Sequence, residues 1–112
     1  MFSHRSEEGF RTMLEGVELK ALAWGDRTLL TEVRLAKGAV VPMHSHPHEQ
    51  TGYLISGRLE FDVTGEITVA GPGDSWSLAG DVKHAARALE DTVLVEAFSP
   101  VREDYLPQRR RL

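Results

Sequence analysis

The sequence predicts an all-β fold, a sandwich or barrel of short strands. Apolar and polar residues alternate at period two through much of the chain. Turn residues interrupt it every six to twelve positions, and no segment sustains the 3.6-residue period of a long helix. Strands are expected at 17–24, 28–36, 51–56, 58–64, 66–70, 74–78 and 92–98, with another in "HAARAL" from His84. In 58–64, Leu59, Phe61 and Val63 face one way, while Arg58, Glu60, Asp62 and Thr64 face the other, as a half-buried strand requires. "TVLVEAF", 92–98, is more continuously apolar and is expected to be more central. The breaks carry turn chemistry: "WGDR", "AKGA", "ISGR", "TGE" and "AGPGD". "SEEGFRTML" (6–14) and "REDYL" (102–106) are each expected to form a turn of helix. The whole chain, 1–112, reads as a single domain with its barrel core at about 17–98, since 112 residues bury one core and hardly two.

Composition narrows the function. A hydrophobic share of 41% with 27% charged residues is an ordinary globular balance. The net charge of −4 gives no broad attraction for nucleic acid or for an anionic membrane, and the basic end "RRRL" reads as a solvated tail. There are no cysteines, which excludes disulfides, thiolate nucleophiles and zinc–thiolate sites. A metal would have to be held by imidazole, carboxylate or amide. The N-terminal residues lack an apolar signal core and no stretch approaches the ~18 apolar residues of a spanning helix, so a cytoplasmic location is the default expectation.

The chemistry concentrates in "VVPMHSHPHEQTGYLISG", 40–57, where His44, His46, His48 and Gln50 recur at every second position. Neutral imidazole is a good transition-metal donor near pH 7. Residues i and i+2 of a strand point to one face, about 7 Å apart along it, so His44 and His46 can project together. Pro47 is expected to bend the chain, and Gln50 to return to the same place after a short turn. A fourth donor must come from elsewhere, and His84 is the obvious candidate. Glu49 competes with Gln50 as ligand, though parity favours Gln50. His48 either points inward as a supporting base or outward past the bend. A lone histidine such as His4 is most simply a surface residue.

The spacing resembles the cupin signature. Its first motif runs G-x5-H-x-H-x3-4-E-x6-G, matched here by Gly38, His44, His46, Gln50 and Gly57, with glutamine in place of the usual glutamate. The second runs G-x5-P-x-G-x2-H-x3-N. Gly73 and His84 keep their separation, while Ala79, Asp81 and Ala88 replace the proline, glycine and asparagine. The resemblance covers about 17–98 and implies a cupin fold, a double-stranded β-helix or jelly-roll barrel. It implies one divalent transition metal ion (Zn, Ni, Mn or Fe) on His44, His46, Gln50 and His84. Three neutral imidazoles and a neutral amide would leave that ion its full +2, making it a stronger Lewis acid and drawing an anionic substrate.

Within that family, "HSHPHEQTGYLISGRLEF" and "ALEDTVLVEAFSPVREDYL" resemble the small single-domain cupins of pectin and alginate breakdown, which open the ring of a 4,5-unsaturated uronic acid to a linear keto acid. The subgroup's acid, aromatic and arginine correspond to Glu96, Phe98 and Arg102, the acid being typically aspartate there. The resemblance implies Glu96 as catalytic acid or base and Arg102 as a carboxylate clamp, with Phe98, Tyr53 and His48 near the substrate. By parity Glu96 shares a face with Leu94 and Phe98, inward or outward, and Arg102 could instead pair with Glu103 or Asp104 at the surface. Tyr53 and Trp76 either line the cavity or belong to the core. Three functions stay open: a metal-dependent lyase or isomerase on a small acidic substrate such as an unsaturated uronate, a metal-dependent dioxygenase, and a non-catalytic small-molecule binder. A homodimer is expected from the exposed edges of so small a barrel, with the strand at 17–24 a candidate for exchange.

Overall fold

The computed structural model describes residues 1–107, so the basic tail at 109–112 lies outside the described residues. Ten strands follow one another: β1 (Arg11–Leu14), β2 (Val17–Trp24), β3 (Leu29–Leu35), β4 (Val40–His44), β5 (Glu49–Ser56), β6 (Leu59–Val63), β7 (Glu66–Ala70), β8 (Ser75–Leu78), β9 (His84–Ala88) and β10 (Thr92–Ser99). A short 3₁₀ turn, Glu103–Tyr105, ends the described chain. No helix among the described residues is long and apolar enough to cross a membrane.

The strands form two sheets, a six-stranded one in the order β1-β2-β3-β10-β5-β8 and a four-stranded one in the order β4-β9-β6-β7. From β4 onward the chain changes sheet repeatedly, and only the β6–β7 hairpin stays within one. That is the jelly-roll arrangement the cupin resemblance implies. β10 is central, pairing with β3 and β5, which accounts for its continuous apolar run. The β6–β7 hairpin turns on Thr64 and Gly65, both at positive φ (51° and 90°), as a two-residue turn matched to strand twist demands.

The core lies between the sheets. Val17, Leu19, Val33, Leu35, Leu54 and Leu94 of the larger sheet meet Leu59, Phe61 and Ala88 of the smaller. In β3 every second residue is buried, the alternation read from sequence. Gly57 sits at φ 96° where the chain passes from β5 to β6, and a Cβ there would strike Asp91 and Thr92.

One expectation is corrected. The segment at 6–14 does not make a helical turn: Arg11–Leu14 is a strand laid antiparallel on β2. Its backbone finds partners on that edge, and tertiary pairing outweighs local preference. Within the chain β2 is flanked by β1 and β3. The expected turn at "REDYL" is present as the 3₁₀ turn.

Candidate metal centre

His44 ends β4 and His84 begins β9, and the two are direct cross-strand partners. Their ring centroids are 4.3 Å apart. His46 lies in the link between β4 and β5, beyond the strand that the two-residue spacing implied. It is nevertheless carried to the same place, 5.6 Å from the His44 ring and 5.1 Å from the His84 ring. The link is pinned from the opposite side. The amide of Asp81 donates to the His46 carbonyl at 2.7 Å, and Gly80 admits the Pro47 carbonyl where a Cβ would collide with it. Asp81 holds φ 68°. The cupin glycine replaced there has a conformational reason that aspartate tolerates.

One nitrogen from each of the three rings lies within 4.8 Å of the others. Two atoms each 2.1 Å from one ion stand at most about 4.2 Å apart, so small adjustments would bring all three onto a shared cation. The other nitrogens are already occupied. His44 Nδ1 donates to the Pro42 carbonyl at 2.8 Å, His46 Nδ1 to the His48 carbonyl at 3.0 Å, and His84 Nδ1 to the Val82 carbonyl at 2.8 Å. Each bond fixes the tautomer that leaves Nε2 as the free donor, the outer support that metal-binding histidines need. His46 Nε2 is buried with no hydrogen-bond partner. A buried polar atom without a partner is costly unless something else meets it, and a cation would.

Gln50, buried on β5, supplies the neighbouring orphan. Its Nε2 donates to Glu96 Oε2 at 2.6 Å, while its Oε1 is buried and unpartnered. Glu96 Oε2 also accepts from Trp76 Nε1 at 3.1 Å, so the amide must show it nitrogen and turn oxygen away. Glu49 is exposed on the opposite parity, which leaves Gln50 as the side chain facing the cavity. The residues present therefore fit a divalent ion held by three imidazoles and an amide oxygen.

The cavity beside these groups measures about 110 Å³ and includes His44, Gln50, His84, Glu96, Phe98, Arg102 and Tyr105 in its wall. That size admits a small molecule. Glu96 projects inward, the side of β10 that carries Leu94 and Phe98. Burial pushes its carboxyl up from the ordinary carboxylate range, against the opposing pull of Trp76, Gln50 and Arg102. Burial likewise pushes His46 and His84 down, favouring the neutral ligand form. Arg102 keeps only 13% of its side chain exposed. It pairs with Asp104 at 3.0 Å, the surface alternative foreseen for it, and also lines the cavity. Its guanidinium lies 3.9 Å over the Tyr105 ring, a cation–π contact that fixes its plane. Phe98 is buried, 6.1 Å from the His46 ring and 5.4 Å from Tyr105.

Not every expected residue comes to the site. Tyr53 is 50% exposed on the outer face of the larger sheet, because Gln50, Gly52 and Leu54 take the inward positions of β5. His48 serves through its carbonyl; its half-buried ring lies outside the cavity wall, 5.7 Å from His46. Conversely, Tyr105 was legible only as part of a short turn, and the bond from Trp76 to Glu96 depends on strand register that no single sequence displays.

Comparison with known proteins agrees with this geometry. The family model described as a cupin domain matches residues 31–98. The pectin degradation protein KdgF of Dickeya dadantii (strain 3937) is 33% identical over 94 residues, covering 82% of this chain and 86% of that protein. The structure of KdgF from Halomonas sp. superposes with a TM-score of 0.89 at 31% identity, covering 95% of this chain and 98% of the other. An RmlC-like cupin from Shewanella frigidimarina NCIMB 400 gives a TM-score of 0.88 at 28% identity, covering 94% and 95%. With its family model spanning well over half its length and its two sheets folded as theirs are, the chain belongs to the cupin family.

Proposed function

We propose that this cupin is a metal-dependent lyase or isomerase that opens the ring of a 4,5-unsaturated uronate. One observation carries the reading: a half-buried acid, Glu96, bonded to a candidate ligand amide, lines the same small cavity as His44, His84 and an arginine, and those two imidazoles converge with that of His46. The likeness to KdgF, named for pectin degradation, supports the substrate class.

The reaction balances without oxidant or reductant. The anomeric hydroxyl loses a proton, the bond from C1 to the ring oxygen breaks to give an aldehyde and an enol, and a proton added at C4 leaves a ketone at C5. The ion would supply Lewis acidity toward the substrate's oxygens. Arg102, its plane set by Tyr105, binds the carboxylate through two parallel N–H donors. Glu96, with a carboxyl that burial moves toward neutrality, carries the proton between hydroxyl and carbon. Phe98 excludes water from one wall.

The test is anaerobic. The metal-loaded chain should bleach the ultraviolet absorbance of an unsaturated uronate under nitrogen, and Glu96→Gln should abolish the bleaching. Activity that requires O2, or a Glu96→Gln chain as fast as the parent, overturns the reading.

A further inference from the structure

We propose that Trp76 is a positioning residue of this site: its indole N–H, lying over Gly52, holds Glu96 and through it turns the Gln50 amide oxygen toward the imidazoles. The inference rests only on the metal-binding part of the proposed function.

Three strands place the parts on one rung. Glu96 of β10 stands opposite Gly52 of β5, and Gly52 stands opposite Trp76 of β8. A side chain at the middle position would separate the outer two. Glycine leaves that space empty, and the indole fills it: a Cβ at position 52 would overlap Cε2, Cζ2 and Nε1 of Trp76. The ring is held from its other side by Phe61, with centroids 4.8 Å apart. Its N–H thereby crosses the vacant position to reach Glu96 Oε2 at 3.1 Å, the oxygen that also accepts from Gln50 at 2.6 Å.

The consequence is directional. An oxygen holding two N–H donors is fixed in rotation about its terminal torsion. The amide that donates to it is fixed in turn, with its Oε1 turned away from Glu96 and, like His46 Nε2, buried without a hydrogen-bond partner. If Trp76 served only to fill the core, its donor would have no reason to find the acid that lines the cavity. Without the indole bond, Glu96 keeps a single partner and the Gln50 amide loses its fixed anchor.

The test compares Zn2+ affinity, by competition with a chromophoric chelator, in the parent chain, Trp76→Phe, Gly52→Ala and Trp24→Phe. Trp76→Phe retains a ring against Phe61 and removes the donor. It should weaken Zn2+ binding roughly 3- to 10-fold, less than the 10- to 100-fold typical when a group directly supporting a ligand is lost. Gly52→Ala, which displaces the indole, should do the same, and Trp24→Phe should do nothing. Folding is controlled by the second measurement, made without altering position 76. The chain has two tryptophans, hence two indole N–H resonances in a 1H–15N spectrum, and Glu96→Gln should move that of Trp76 and leave that of Trp24. Unchanged Zn2+ affinity in Trp76→Phe, or an indole resonance indifferent to Glu96→Gln, overturns the inference. A chain that binds Zn2+ yet leaves unsaturated uronate intact overturns the catalytic reading alone.

Discussion

Exchanging the amide at position 50 for the carboxylate that cupins usually carry there should create a pH-dependent fault. In Gln50→Glu an oxygen replaces the nitrogen that now donates to Glu96 Oε2 at 2.6 Å. With about 4 Å between charge centres and an effective dielectric near 20, two ionised carboxylates repel by about 4 kcal/mol. The metal-free protein escapes by keeping one proton on the pair. Burial already raises the Glu96 carboxyl, so the proton costs no more than the ~1 kcal/mol at pH 5 expected from a reference Glu pKa near 4.3, and up to about 1.4 kcal/mol more for each pH unit above that. The destabilisation should therefore be at most about 1 kcal/mol at pH 5 and rise towards a ceiling of ~4 kcal/mol as pH increases to 8. The sign follows from linkage: folding raises the carboxyl pKa, so stability present below the unfolded pKa is lost as pH climbs through the folded one. The assay is urea unfolding of four metal-free chains, the parent, Gln50→Glu, Glu96→Gln and the double variant, at both pH values. The double variant exchanges donor for acceptor and restores that bond but leaves the Trp76 N–H facing an amide NH2, so its loss should be about 1–3 kcal/mol and nearly independent of pH. A Gln50→Glu penalty that is equal at the two pH values, or whose pH dependence survives in the Glu96→Gln background, would refute the contact on which the site is built. The same energetics explain the glutamine: an anionic ligand here would stand against the buried acid.

Other outcomes follow from single contacts. Arg102→Ala removes the two-donor clamp proposed for the substrate carboxylate, worth about 1.5–3 kcal/mol, and should raise KM for the proposed uronate substrate by one to two orders of magnitude with a smaller effect on kcat; steady-state kinetics decide it. Asp81→Gly relieves an L residue at φ 68° and should raise stability by up to about 1 kcal/mol in urea unfolding, with Zn2+ affinity unchanged. Burial raises the Tyr105 phenol above its ordinary value of 10.0. The folded chain should therefore lose stability as pH rises from about 10 upward, and Tyr105→Phe should flatten that loss between unfolding curves at about pH 9 and pH 11.

What the sequence disclosed, and what it withheld, divides along the strand's two directions. Along the chain, period two and turn residues located β2 and β7 to their end residues and set Glu96 on one face with Leu94 and Phe98. The motif spacing gathered His44, His46, Gln50 and His84 although His46 lies off the strand, since the spacing encodes a loop geometry that strand parity alone would miss. Tyr53 was decidable by the same parity: once Gln50 is inward, Gly52 and Leu54 are inward and Tyr53 must face out. Across the chain no such rule operates. That Arg11–Leu14 finds β2, or that Trp76, Gly52 and Glu96 share a rung, depends on register between segments far apart in sequence. A glycine inside a strand is the one trace of it, marking close approach by a group whose identity it does not tell. Gly52 carried that trace. Its empty position lets the Trp76 indole reach Glu96, so a contact between two distant strands is visible in the sequence as a missing side chain.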